Sequence, residues 1–220
     1  MTRLISVFAA AAVTAAAAWT ATPAQADKLI QIVIDDSGVL HDEQDPQNKK
    51  TLGQFVGKFL NGIARDHRRD RGDTNVIVIS AVAPAHILWS GDAAAFYRDG
   101  IKSPPLQATI SDPPNGCNNL PEALAEVAAN LRTMPPANEN ILHIITSGVH
   151  SGPNCAGLTQ EKYIKLVETL DPTFAHALKT TAGQFGTTTV HFLTATQRRA
   201  LLDALGTQTT GIILRAQGQN

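Results

Sequence analysis

The chain has 220 residues, with 18 Lys and Arg against 19 Asp and Glu, so its formal net charge is −1. A balance this close to neutral gives no reason to expect nucleic acid or an anionic membrane as the partner. The length suits one domain with a hydrophobic core and not two.

The first 26 residues have the three parts of an export signal. Arg3 supplies the positive charge, Leu4 to Trp19 is an apolar, Ala-rich stretch, and Ala24-Gln25-Ala26 is an A-x-A cleavage site. We therefore predict a signal peptide at 1–26, a mature domain at 27–220, and a periplasmic or secreted location. Beyond the leader no apolar run approaches the roughly 20 residues of a spanning helix, so we expect no membrane span in the mature chain.

The first half of the mature chain begins with a β-branched run, Lys28–Ile34, which predicts a buried strand. Apolar residues at helical spacing predict a helix over Pro46–Asp66. Asn75–Val82 is a second buried strand. His86–Trp89 follows too soon for a crossover helix, so it is predicted to pair antiparallel as a hairpin partner.

The middle of the chain is predicted to be less regular. Asp92–Asp99 is a short helix, and Ser103–Pro114 is a Pro-rich loop. A strong helix then runs from Leu120 to Leu131, with Asn118 or Asn119 as its N-cap.

The remaining segments continue the alternation of strands and helices. In chain order they are a strand at Asn140–Thr146, a helix at Thr159–Leu170, a helix start at Asp171-Pro172, a strand at Thr188–Thr194, a helix capped by Thr196 and ending at Leu205, and a strand at Gly211–Arg215.

This alternation predicts an α/β fold with a doubly wound, mainly parallel six-stranded sheet, one antiparallel strand and helices on both faces. In such sheets ligands bind beyond the carboxyl ends of the strands. The candidate binding residues all follow a strand or precede a helix at that edge: Asp35, Asp36, Ser37, Asn118, Ser147 and His150.

These segments resemble the von Willebrand factor A (vWA) family over nearly all of the mature chain. The family's first strand ends in D-x-S-x-S, and Asp35-Asp36-Ser37-Gly38-Val39 keeps the Asp and the first Ser but has Val39 for the second. Pro121-Glu122-Ala123-Leu124 fits the family's x-x-A-L helix start, and Asn118 falls where the family has a Thr. Ser147-Gly148 stands where the family's fourth strand ends in Asp-Gly.

The resemblance implies a metal-ion-dependent adhesion site in which Asp35, Ser37 and Asn118 give oxygen ligands to Mg²⁺ or Mn²⁺. Val39 and Ser147 remove one donor and one charge from that site. The alternative is a degenerate site in which Asp35 and Ser37 satisfy backbone donors and no ion binds. Asp36 should point the opposite way from its neighbour along the strand.

The chain's two cysteines, Cys117 and Cys155, predict one disulfide in an oxidising compartment. The alternative, a catalytic cysteine, would need a free thiol and a basic partner. In a vWA-like sheet both cysteines lie on the same upper face as Asp35, so a bridge would rigidify the candidate binding loops.

The function implied by the resemblance is an exported module that binds another protein, weakly metal-dependent or metal-independent, as in an envelope, pilus or transfer assembly. The alternative is a small exported serine hydrolase with Ser37 as nucleophile, His150 as base, and Asp112 or Asp36 orienting the base. The chain has no G-x-S-x-G, Walker, H-E-x-x-H or G-x-G-x-x-G motif, so we expect no enzyme.

The histidines divide by their position in the predicted elements. His150 is expected to be a loop histidine with solvent access. Its imidazole could bind a ligand at the site or change its protonation state near neutral pH. His143 and His191 lie within strands and are expected to pack against the sheet.

Overall fold

The computed structural model describes residues 26–37, 46–70, 73–111, 116–155, 159–206 and 211–217. Residues 1–25 of the signal peptide predicted at 1–26 lie outside these residues, and so do Val39 and Asp112. Within the described ranges, none of the helices combines the length and the apolar character that a membrane crossing requires.

Six strands in the described ranges form one sheet. They are β1 (Lys28–Ile34), β2 (Thr74–Ser80), β3 (His86–Asp92), β4 (Glu139–Ile145), β5 (Thr187–Leu193) and β6 (Ile212–Ala216). Their order is β3-β2-β1-β4-β5-β6. β3 is antiparallel to β2, and the other neighbouring pairs are parallel. The predicted fold class is confirmed.

Helices cover both faces of this sheet. They are α1 (Pro46–Asp66), α2 (Ala93–Ala95, continued by a π-helical turn at Phe96–Gly100), α3 (Pro104–Ser111), α4 (Leu120–Thr133), α5 (Gln160–Glu168), α6 (Pro172–Ala182) and α7 (Ala195–Leu205). One core lies between the sheet and α1, α2 and α3, and the other between the sheet and α4, α6 and α7. Because both faces are covered, β1 is buried along nearly its whole length.

The Pro-rich loop predicted at Ser103–Pro114 is wrong, because α3 occupies most of it. Pro104 and Pro105 stand in the first turn of the helix. Their missing N–H groups remove no bond there, since the first N–H groups of a helix have no partner within it, and a fixed φ suits helical backbone. The prolines therefore begin a helix and do not prevent one.

The helix cap predicted at Thr196 is also wrong. β5 ends at Leu193, and the next residue, Thr194, is the extended residue before α7. Its hydroxyl accepts a hydrogen bond from the backbone N–H of Gln197 at 3.1 Å. Both threonines have the chemistry of a cap, and the end of the strand decides which of them is used.

Helix α1 approaches α3 closely through a glycine. A Cβ at Gly53 would clash with the backbone carbonyl oxygen of Ile110 on α3, whereas a Cβ at Gly62 on the same helix would meet nothing within 4 Å. A methyl group would therefore collide with the neighbouring helix at Gly53 and would meet no other atom at Gly62.

We predict that Gly53→Ala destabilises the protein by roughly 1–3 kcal/mol, because α3 must move away from α1. The matched control, Gly62→Ala, should stabilise it by up to about 1 kcal/mol through helix propensity. Urea unfolding followed by circular dichroism measures both. Equal effects of the two substitutions would contradict the close approach of the helices.

His143 on β4 and His191 on β5 lie within strands of the sheet, as predicted, and the structure places them side by side beneath α1. Nδ1 of His143 is 3.2 Å from Nε2 of His191, and the ring of Phe59 contacts both imidazoles. Burial, together with the positive charges of Arg215 and His67, lowers the pKa of His143 to about 4. Burial, with His143 and Arg215, lowers the pKa of His191 to about 3. The pair is therefore neutral at pH 7.

This pair should make stability fall in acid. Between pH 6.5 and about 4 the unfolded chain binds a proton at His143 that the folded protein does not, so the free energy of unfolding decreases as the pH falls. The loss should be roughly 3 kcal/mol from His143 alone. We predict that His143→Gln makes the slope of unfolding free energy against pH less positive in this window, because the contribution of His143 is lost while those of His191, Asp35 and Asp36 remain.

The control is His176→Gln, which changes an exposed histidine on α6. It should keep the pH dependence of the wild type. The same slope in His143→Gln and in the wild type would contradict the assignment.

Candidate functional site

Three segments of the predicted site meet where the strand order reverses, at the carboxyl ends of β1 and β4. The backbone N–H of Asp35 donates to the carbonyl of Ile145 at 2.9 Å, which joins the two strand ends. The segment before α4 lies beside the residues after β2, where Asn119 donates to the carbonyl of Ala81 at 2.8 Å. The structure therefore brings the regions of Asp35, Asn118 and Ser147 to one edge of the sheet.

Asp35 is the centre of this edge and is fully buried. Its Oδ1 accepts from the Ser37 hydroxyl at 2.7 Å and from the Ser37 N–H at 3.4 Å. Its Oδ2 accepts from the Thr146 hydroxyl and from Asn118 Nδ2, each at 2.8 Å. Burial, with a smaller contribution from the neighbouring Asp36 charge, raises the pKa of Asp35 to about 6, although the hydrogen bonds from Ser37, Thr146 and Asn118 oppose the shift.

Asn118 joins three segments through its side-chain amide. Besides Asp35, Nδ2 donates to the carbonyl of Val149 at 2.7 Å. Oδ1 accepts from the N–H of Ser151 at 2.7 Å and from its hydroxyl at 2.9 Å. The backbone partners fix the orientation of the amide, because a carbonyl can only accept and an N–H can only donate.

Asp36 points to the other side of the sheet edge, as predicted. Its Oδ1 accepts from the Ser80 hydroxyl at 2.6 Å, and its Oδ2 accepts from the Thr109 hydroxyl at 2.9 Å. Burial raises the pKa of Asp36 against these two hydrogen bonds. The adjacent aspartates thus connect β1 to opposite halves of the molecule.

Ser147 reaches the same edge but does not join the Asp35 network. Its hydroxyl accepts from the N–H of Val149 at 3.2 Å, and its carbonyl accepts from the N–H of Thr194 at 3.1 Å. The next residue, Gly148, has φ +84°, and a Cβ there would meet the side chains of Gln197 and Leu193. The turn after β4 therefore requires glycine at 148.

The expectation that His150 is open to solvent is wrong. The residue is 8% exposed, and its Nδ1 lies 2.6 Å from Oδ2 of Asp171, the N-cap of α6. Burial raises the pKa of Asp171, but hydrogen bonds from Thr173 and His150 outweigh it, and the pKa is lowered overall. His150 anchors the loop after β4 to the start of α6.

The hydrolase hypothesis lacks support in these contacts. The Ser37 hydroxyl donates to Asp35, whereas a serine nucleophile gives its proton to a base such as histidine. His150 pairs with Asp171, and Asp36 with Ser80 and Thr109. Of the two base-orienting carboxylates suggested by the sequence, Asp36 is thus engaged with other partners, and Asp112 lies outside the described residues.

The predicted disulfide between Cys117 and Cys155 is present. It joins the loop before α4 to the loop after β4, next to the contacts between Asn118 and Ser151. The N–H of Cys155 also donates to the sulfur of Cys117. A covalent bond and a set of hydrogen bonds thus hold the same two loops together.

The residues of this edge do not fit a bound Mg²⁺ or Mn²⁺. Such ions need free oxygen ligands, but both oxygens of Asp35 already accept hydrogen bonds and Asn118 turns its NH₂ group, not its carbonyl, toward Asp35. Ser37 is fully buried. No group of three or more His, Cys, Asp or Glu side chains in the described ranges is arranged to hold a metal.

Sequence reasoning missed Thr109, Thr146 and Ser151, which donate to the predicted site residues. Thr146 ends a predicted strand and was therefore assigned to the sheet. The available signal was a hydroxyl residue directly beyond a buried strand, at the edge where the acidic residues also lie.

We predict that Cys117→Ala combined with Cys155→Ala lowers the free energy of unfolding by about 3–4 kcal/mol, because the bridge closes a loop across a sequence separation of 38. Denaturant unfolding measures the loss, and fully reduced wild-type protein is the control and should match the variant. An unchanged unfolding midpoint in both would contradict a stabilising role for the bridge.

Comparisons with known proteins give structural likenesses only. No protein-family model matches the chain, and no curated protein matches it. A point variant of the PilB minor pilin from Streptococcus sanguinis is similar at TM-score 0.51 and 11% identity; the match covers 89% of this chain and 58% of that one. An aerotolerance-related membrane protein from Bacteroides fragilis has TM-score 0.51, 12% identity, and coverage of 86% and 92%.

The SpRpn10 VWA domain is a further similar structure, at TM-score 0.49 and 10% identity, with coverage of 87% of this chain and 90% of that one. Likeness at such low identity shows the fold and nothing more, and the chain spans little more than half of the pilin. With its strand order and its antiparallel β3, this chain has a von Willebrand factor A-like fold.

Proposed function

We propose that the mature chain is an exported module that binds another protein through the loops at the carboxyl edge of its sheet. The observation that carries this proposal is the bracing of the loops before α4 and after β4. They are joined by the Cys117–Cys155 bridge and by the hydrogen bonds between Asn118 and Ser151. Loops fixed before binding lose less conformational entropy when a partner is bound.

The residues predicted to bind have a supporting role in this proposal. Asp35, Ser37 and Asn118 are fully buried, so no partner side chain reaches them. Their neighbours Pro153 and Asn154 are exposed at the turn after β4. The buried residues hold the loops, and the exposed residues of the turn meet the partner.

The location proposed for this module is outside the cytoplasm, in an envelope, pilus or transfer assembly. The predicted leader and the disulfide support export, since disulfides persist in oxidising compartments. The likeness to a minor pilin and to an aerotolerance-related membrane protein supports an envelope assembly. Recognition is proposed to be metal-independent or only weakly metal-dependent, because both carboxylate oxygens of Asp35 already accept hydrogen bonds from neighbouring side chains.

Site-specific photo-crosslinking in the native cell tests the binding role. A benzophenone amino acid at Asn154 should give an adduct of one discrete mass, because this turn faces the partner. The control position is Arg68, which is exposed just beyond α1, at the opposite edge of the sheet. Gel electrophoresis and mass spectrometry identify the adduct. No adduct at Asn154, or the same adduct from both positions, would contradict the proposal.

A further inference from the structure

The contact between Asn118 and Asp35 lies where the vWA resemblance implies a cation. A cation there would connect the end of the first strand to the loop before the following helix. In this chain the same two segments are connected directly, by a hydrogen bond of 2.8 Å from Asn118 Nδ2 to Asp35 Oδ2. We propose that the Asn118 amide takes the place of the cation and positions the recognition loops without metal.

The first support is the number of donors around Asp35. A carboxylate has about four acceptor positions on its two oxygens. Four hydrogen bonds occupy them, from the hydroxyl and N–H of Ser37, the hydroxyl of Thr146 and the amide of Asn118. A cation could bind only by displacing at least one of these donors inside a fully buried site.

The second support is the fixed direction of the Asn118 amide. To offer its oxygen to a cation, the amide would have to turn over. The carbonyl of Val149 would then lose its donor, and the N–H and hydroxyl of Ser151 would lose their acceptor. Buried polar groups left without partners are destabilising, so the NH₂ group stays directed at Asp35.

The third support is the position of the bridge within the loops. Asn118 follows Cys117, and its partners Val149 and Ser151 precede Cys155. One side chain therefore contacts the end of β1 and the whole turn after β4. The importance of the hydrogen bond between Asn118 and Asp35 for recognition rests on the proposed function, whereas its independence from metal does not.

The substitution Asn118→Asp should create the cation requirement that the wild type lacks. It would place a second carboxylate about 3 Å from that of Asp35 in a buried site, and two charges so close are tolerated only if a cation lies between them or one carboxyl group takes up a proton. The neighbouring Asn119→Asp is the matched control. Asn119 is the N-cap of α4, and aspartate keeps this cap, although it loses the hydrogen bond from Asn119 Nδ2 to Glu122 Oε2 at the surface.

The experiment measures the Tm of the wild type and of both variants at pH 7.5 in EDTA, in Mg²⁺ and in Mn²⁺. The Tm of the wild type should be the same in EDTA, in Mg²⁺ and in Mn²⁺, and the Tm of Asn119→Asp should likewise not change among these conditions. Asn118→Asp should have a Tm lower by about 5 °C or more in EDTA, and Mn²⁺ should recover it. A wild-type Tm that rises in Mn²⁺ would overturn the proposal.

Calorimetric titration of the wild type with Mn²⁺ keeps the test decisive if Asn118→Asp does not fold. No heat of binding is expected, and stoichiometric binding that protects against unfolding would overturn the proposal. Neither measurement uses the partner protein. If the wild type is unaffected by metal but gives no photo-crosslink, the binding function is rejected, and the proposal that the Asn118 amide takes the place of a cation still stands.

Discussion

The structure at the carboxyl edge of the sheet depends on the buried carboxylate of Asp35. An ionised carboxylate removed from water is stable only if hydrogen-bond donors replace the lost solvent. Here the donors come from three segments that are distant in the chain: the residues after β1, the residue after β4, and the loop before α4. Satisfying one carboxylate thus fixes the relative positions of all three.

Asp36 extends the same principle to the other half of the sheet. Because neighbouring residues of an extended chain point in opposite directions, the pair Asp35-Asp36 reaches both sides from one position. Asp36 holds the end of β2 and α3, and Asp35 holds the end of β4 and the α4 loop. Two consecutive acidic residues at the centre of the sheet therefore organise the whole edge, while exposed residues nearby are free to contact a partner.

Much of this arrangement follows from the sequence because periodicity and chain connectivity determine it. The strand runs, the short connection to β3 and the alternation with helices together predict a mainly parallel sheet with one antiparallel strand, and the observed strand order places Asp35, Asn118 and Ser147 at one edge. The disulfide follows from having two cysteines in a chain that is predicted to be exported. These inferences need only the topology, which does not depend on the details of side-chain packing.

The hydrogen-bond partners could not be predicted in the same way. Whether Asn118 presents its oxygen or its NH₂ group depends on Val149 and Ser151, more than 30 residues away. His150 is buried because Asp171 lies 21 residues further on, at the start of another helix. Likewise, Pro104 and Pro105 allow either a loop or a helix, and packing of α3 against α1 selects the helix.

In the proposed arrangement an amide, and not a cation, connects Asp35 to the loop before α4. A crystal structure of the wild type grown with Mn²⁺, with anomalous data collected for manganese, tests it most directly. The account predicts Asn118 Nδ2 within hydrogen-bond distance of Asp35 and no manganese signal between them. A manganese peak coordinated by Asp35, with the Asn118 amide turned to give its oxygen, would contradict it.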